Sequence, residues 1–142
     1  MLRDRGGRTA RGFRPLLVAI ALAAGCRAAH PPPALPPLAL TDADAGRSVE
    51  LALGQQLLVR LASNHSAGYG WSLAEETDAV VTLEQTPSYE ESDATHLGAG
   101  GIETFRFEAV RTGEQTLRFS YRRPWERGSP AARTLSYTIT VR

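Results

Sequence analysis

From Val49 to Val141, apolar residues keep falling on alternate positions: Val49, Leu51 and Leu53; Leu57, Val59 and Leu61; Tyr69, Trp71 and Leu73; Val81 and Leu83; Phe105, Phe107 and Ala109; Leu117, Phe119 and Tyr121; Leu135, Tyr137, Ile139 and Val141. Successive side chains of a strand point to opposite faces, so a period of two gives each run one buried and one wetted face. No stretch of about a dozen residues carries a helical period. Turn-forming residues divide the runs at Gly54-Gln55, from Asn64 to Gly68, around Pro87, from Gly98 to Gly101, at Thr112-Gly113 and from Pro124 to Pro130. Short strands at this spacing predict an all-β, two-sheet antiparallel sandwich of about seven strands, with Trp71 at the centre of its core. An OB-like barrel is the alternative, though it uses fewer strands.

The chain ahead of these runs has a different composition. Arg3, Arg5, Arg8, Arg11 and Arg14 against Asp4 make the first 25 residues basic, and an apolar run from Leu16 to Ala24 follows. That run is too short to cross a bilayer as an ordinary helix but suits the core of a signal peptide. It ends in Leu22-Ala23-Ala24-Gly25-Cys26, which resembles the bacterial lipobox, with Ala23 standing where that pattern prefers Leu. Cys26 has no second cysteine to pair with. The expectation is a signal peptide over 1–25, a lipidated Cys26, a Pro-rich spacer over 26–45 and a folded domain over 46–142. A lipid anchor at Cys26 would attach the chain to a membrane of the bacterial cell envelope, facing the periplasm or exterior, and an ordinary cleavable signal is the alternative. Pro31-Pro32-Pro33 and Pro36-Pro37 give the spacer a polyproline II bias and few donors for a sheet.

Several classes of function find little support. From Gly46 onward ten Arg face twelve Asp and Glu, and there is no Lys anywhere. Such a mildly acidic domain lacks the concentrated positive field that a nucleic-acid backbone requires. The three histidines, His30, His65 and His96, show no metal-ligand spacing, and no glycine loop opens a helix to cradle phosphate. No cofactor is implied, no residue stands out as catalytic, and the expectation is that the chain is not an enzyme.

Three connections of unusual composition remain. Asn64-His65-Ser66-Ala67-Gly68-Tyr69 is a polar glycine turn running into the strand of Trp71. Asn64 and Ser66 can bond their own backbone, and Gly68 accepts positive φ, so this turn can be tight and still exposed. Gly98-Ala99-Gly100-Gly101 is the second, and Arg123-Pro124-Trp125-Glu126 opens the third. In a sandwich these connections can share one end, where Trp125 is either an exposed hot spot or a ring folded over the sheet edge.

Taken in order, Asn64 to Tyr69 followed by Trp71, Gly98 to Gly101 followed by Phe105, and Tyr121-Arg122-Arg123-Pro124-Trp125-Glu126 resemble the chagasin family of cysteine-protease inhibitors. In that family similar loops carry an Asn-Pro-Thr-Thr-Gly turn, a Gly-x-Gly-Gly turn and an Arg-Pro-Trp turn. The resemblance covers about Gly46 to Arg142. It implies an immunoglobulin-like fold and reversible inhibition of papain-like cysteine proteases by a monomer. The first loop would enter the active-site cleft, with residues 65 to 67 nearest the protease cysteine. Gly98, Gly100 and Gly101 would allow close approach on one side, and Arg123, Pro124 and Trp125 would clamp the other. His65 stands where the family usually has Pro, and Ala67 replaces the second Thr. The rival reading is a periplasmic immunoglobulin-like lipoprotein that serves as a structural or adhesion module.

Overall fold

The computed structural model describes residues 33–74, 78–92, 95–126 and 128–142. The expected signal peptide and Cys26 lie outside them. Among the described residues nine strands form two sheets: β1 (Leu38–Thr41), β2 (Ser48–Leu51), β3 (Gln56–Ser63), β4 (Gly70–Leu73), β5 (Val81–Leu83), β6 (Ser88–Glu91), β7 (Gly101–Ala109), β8 (Gly113–Arg122) and β9 (Arg133–Val141). One sheet runs β1-β3-β7-β5, with β6 pairing the other end of β7, and the second runs β2-β9-β8-β4. β1 lies parallel to β3 and β2 parallel to β9, while the remaining pairs are antiparallel.

The period of two decides which side chains meet between the sheets. Leu57, Val59 and Leu61 of β3 and Phe105, Phe107 and Ala109 of β7 face Leu117 and Phe119 of β8 and Tyr137, Ile139 and Val141 of β9, all essentially inaccessible. Phe119 meets Phe105, Phe107 and Tyr137 edge to face, the arrangement that aromatic quadrupoles favour. Trp71 is 6% exposed, and its indole N–H donates to Ala62 O at 2.9 Å. The expected core tryptophan is therefore buried with its polar atom satisfied, though it sits on the edge strand β4 and not at the centre of the core.

Two strands exceed the expected seven. β6 has the sequence Ser-Tyr-Glu-Glu and shows no apolar alternation to read. β1 falls inside the stretch read as a spacer. Leu38 and Leu40 alternate there after the last proline, and Leu40 is 2% exposed. Tyr137 ties this strand down by donating its hydroxyl to Thr41 O at 2.8 Å. Beyond β1 the chain makes a 3-10 turn, where the Asp44 carboxylate accepts from the Thr41 N–H and from Arg47, two bonds that hold its pKa below the ordinary value. At the other extreme, Leu53 of the first sequence run is 58% exposed, because β2 ends at Leu51 and Gly54 turns the chain.

Candidate functional site

The first loop is built around Asn64. Its side-chain Oδ1 accepts the Ala67 N–H at 3.1 Å and the Ser66 hydroxyl at 2.7 Å, and its carbonyl accepts the Tyr69 N–H at 3.2 Å. A single 3-10 turn over His65–Ala67 results, and Gly68 closes it at φ 82°, donating its N–H to His65 O. A side chain at that φ would sit in the disfavoured left-handed region. Asn64 is itself held from the second sheet, since its N–H donates to the Tyr121 hydroxyl at 2.8 Å. Tyr121 stacks on Tyr69 and meets Trp71 at a tilt, with ring centroids 5.1 and 4.8 Å away. The base of the loop is thus an aromatic stack continuous with the core.

The third loop lies against the first. Arg123 donates Nε–H to Ala67 O at 3.1 Å, and its guanidinium sits 4.6 Å from the centre of the Tyr69 ring. Trp125 lies across Gly68 so closely that a Cβ there would overlap ring atom Cη2, yet the residue is 67% exposed. Pro124, also exposed, precedes it in the turn. Of the two expectations for Trp125, the ring rests on a neighbouring loop and keeps most of its surface in solvent.

The second loop approaches from the other side. Asn64 Nδ2 reaches Gly98 O at 3.4 Å, and Gly98 itself has φ 86° with open space around it. Gly100 and Gly101 have a different reason to lack side chains. A Cβ on Gly100 would come within 3.2 Å of Ser63 O, and one on Gly101 would meet Glu90 O and the Tyr89 ring of β6. All three loops expected to share one end are brought together, with the first in the middle.

Sequence reasoning overlooked four residues of this edge. Tyr121 was read as a strand residue and as the opening of the third motif, with no role for its hydroxyl, which anchors Asn64. Glu103 and Tyr89 hold the His65 ring: the imidazole Nε2 is 3.2 Å from Glu103 Oε2, and the ring stacks on Tyr89 at 3.7 Å and 13°. Leu97, wholly exposed beside Gly98, adds an apolar tip to the second loop. A leucine next to a glycine turn, off the strand period, was the signal available for it. The His65 ring is therefore engaged by the sheet, while Ser66 and Ala67 form the exposed crest of the turn.

Among the described residues no cluster of His, Cys, Asp and Glu could hold a metal ion. What the edge offers is a set of cross-braced loops of backbone and small side chains, with Trp125 and Leu97 exposed on it.

Fold and edge together define an immunoglobulin-like sandwich with three loops braced together at one edge. The crystal structure of the cysteine protease inhibitor EhICP2 from Entamoeba histolytica has this fold, with a TM-score of 0.64 at 24% identity over 75% of this chain and 95% of that one. Residues 50–141 match the family described as Chagasin family peptidase inhibitor I42, and the chain belongs to that family. Among its relatives, Amoebiasin-2 of Entamoeba histolytica is 25% identical over 72% of this chain and 84% of its own length. Chagasin of Trypanosoma cruzi is 30% identical over 61% of this chain and 81% of its own.

Proposed function

We propose that the protein is a reversible, tight-binding inhibitor of papain-like cysteine proteases, and that it fills their active-site cleft with loops 64–69, 98–101 and 123–126. The observation that carries this reading is the cross-bracing of the loops: Arg123 on Ala67 O, Trp125 on Gly68 and Asn64 on Gly98 O. Loops braced to one another lose little freedom on binding, so the ordering cost that weakens flexible ligands is largely met during folding.

A papain-like protease attacks a substrate carbonyl with a thiolate activated by a neighbouring imidazole. The crest of the first loop would lie nearest that thiolate. Around the 3-10 turn three carbonyls are committed, Asn64 O to the Ala67 and Tyr69 amides, His65 O to the Gly68 amide and Ala67 O to Arg123. The turn therefore occupies the cleft without offering an extended peptide bond to cleave. On this reading the protein acts as a monomer without catalysis of its own.

The envelope assignment belongs to the same proposal. Residues 1–25 serve as a signal peptide, and Cys26 carries the lipid that anchors the inhibitor. Mass spectrometry of the mature N-terminus checks this, and an unmodified Cys26 would contradict it. Inhibition itself is tested by titrating papain with the purified protein. The reading expects saturable, reversible loss of activity at one inhibitor per enzyme, and full activity at micromolar inhibitor would refute it.

A further inference from the structure

The His65 imidazole leaves the first loop and docks on the sheet beneath it. Glu103 on β7 and Tyr89 on β6 stand directly opposite each other in the strand register and present their side chains to the same face. Glu103, 7% exposed, is a carboxylate that needs partners at such burial, and its Oε2 has two: the Trp71 N–H at 3.1 Å and His65 Nε2 at 3.2 Å. Tyr89 supplies a flat surface for the imidazole, 3.7 Å away and nearly parallel. The Tyr89 hydroxyl is buried without a hydrogen-bond partner, so this site uses the ring and not its polar tip. The ring can lie there because Gly101 has no Cβ; one would come within 2.6 Å of Tyr89 Cζ.

His65 is the first residue of the 3-10 turn and occupies the position where the family usually has proline. Proline would fix φ there by its own ring and is tolerated at the first position of a helical turn. Histidine has no such constraint within itself. We propose that Tyr89 is a positioning residue for the inhibitory loop: by stacking on the imidazole that Glu103 holds, it fixes from the sheet the entry to the turn that proline fixes covalently. The glycine loop takes part in the same device, because Gly101 makes room for the ring. The inference rests on the first loop being the one that enters the protease cleft.

The test compares inhibition of papain by wild type, His65→Ala, Tyr89→Leu, the double variant, Tyr89→Phe, and Tyr89→Leu introduced into His65→Pro. Stacked ring pairs of this kind support roughly threefold to tenfold effects on an equilibrium. Each of His65→Ala and Tyr89→Leu is expected to raise the inhibition constant by about that factor, and the double variant by no more than about twofold beyond the larger single. Tyr89→Phe keeps the ring and retains wild-type inhibition. In the His65→Pro background Tyr89→Leu costs under about twofold, because the turn no longer depends on the stack. Additive losses, or an undiminished loss in the proline background, would overturn the proposal. Amide hydrogen exchange on the free protein provides a readout that needs no protease. Tyr89→Leu is expected to speed exchange at Ala67, Gly68 and Tyr69, and unchanged exchange there would overturn the proposal as well. If wild type fails to inhibit papain while exchange responds as expected, the inhibitor reading fails and the positioning role stands.

Discussion

Replacing Trp125 with alanine separates a binding anchor from a structural ring. Trp125 is 67% exposed, so of the up to ~250 Å² that a tryptophan side chain can bury, roughly 170 Å² is left for a partner and roughly 80 Å² is covered within the protein. At ~25 cal/mol/Å², the first share corresponds to ~4 kcal/mol of binding and the second to at most ~2 kcal/mol of folding. Ordering and desolvation reduce the binding figure, and Trp125→Ala is expected to lose at least ~2 kcal/mol of affinity, more than tenfold. The control is Trp71→Ala. That ring is 6% exposed and bonded to Ala62 O, so its removal opens a cavity, takes a donor from that carbonyl and lowers stability by ~3 to 5 kcal/mol. Each variant is assayed by a denaturant melt and by its inhibition constant against papain. A Trp125→Ala variant that melts as early as Trp71→Ala would refute the argument, and so would one that folds normally and inhibits like wild type.

Gly68→Ala meets both a left-handed φ and the Trp125 ring, whereas in a Trp125→Ala background only the φ cost of ~1 to 2 kcal/mol remains; a denaturation cycle is expected to show coupling near ~1 kcal/mol, and simple additivity would contradict the contact. Gly101→Ala drives a Cβ into Glu90 O and the Tyr89 ring, so a stability loss of ~1 to 3 kcal/mol is expected from chemical denaturation, and a neutral result would count against the packing of β6 on β7. Burial, with Asp42 and Asp44 adding to it and Arg133 opposing, pushes the Tyr137 hydroxyl up to about 12, against ~10 for a free tyrosine. Because the folded-state value is raised, the unfolded chain gives up this proton first; the contribution is whole below pH ~10 and is lost as pH rises towards about 12, up to ~2 kcal/mol. Urea melts across that range are expected to show a shallower decline for Tyr137→Phe, which also loses ~1 kcal/mol at neutral pH with the bond to Thr41 O, and parallel declines would refute the assignment.

The sequence displayed the sandwich because the core obeys one rule: Leu57, Val59 and Leu61 or Phe105, Phe107 and Ala109 cannot alternate as they do without facing a common interior. β6 escaped notice because pairing with β7 requires backbone groups and not apolar side chains, and Ser-Tyr-Glu-Glu supplies little else. β1 was hidden by the prolines just ahead of it, though Leu38 and Leu40 carried the right period. In the loops, Asn64 and Gly68 were legible since their roles are local, a cap and a left-handed closure. Trp125 across Gly68, Tyr121 under Asn64 and Tyr89 against His65 are contacts between residues 24 to 57 apart in the chain, and composition carries no trace of such pairings. His65 drew attention as a departure from the family's proline, but only the fold reveals that its ring is held by Glu103 and Tyr89.

Occlusion of the protease cleft is tested most directly by asking whether the protein shields the protease nucleophile. Papain is mixed with increasing amounts of the protein, iodoacetamide is added, and alkylation of the active-site thiol is followed by mass spectrometry. The account predicts protection that rises linearly and is complete at one inhibitor per enzyme, with the thiol recovered unmodified after dissociation. A thiol that alkylates at the free-enzyme rate at every ratio, whether or not activity falls, would contradict it.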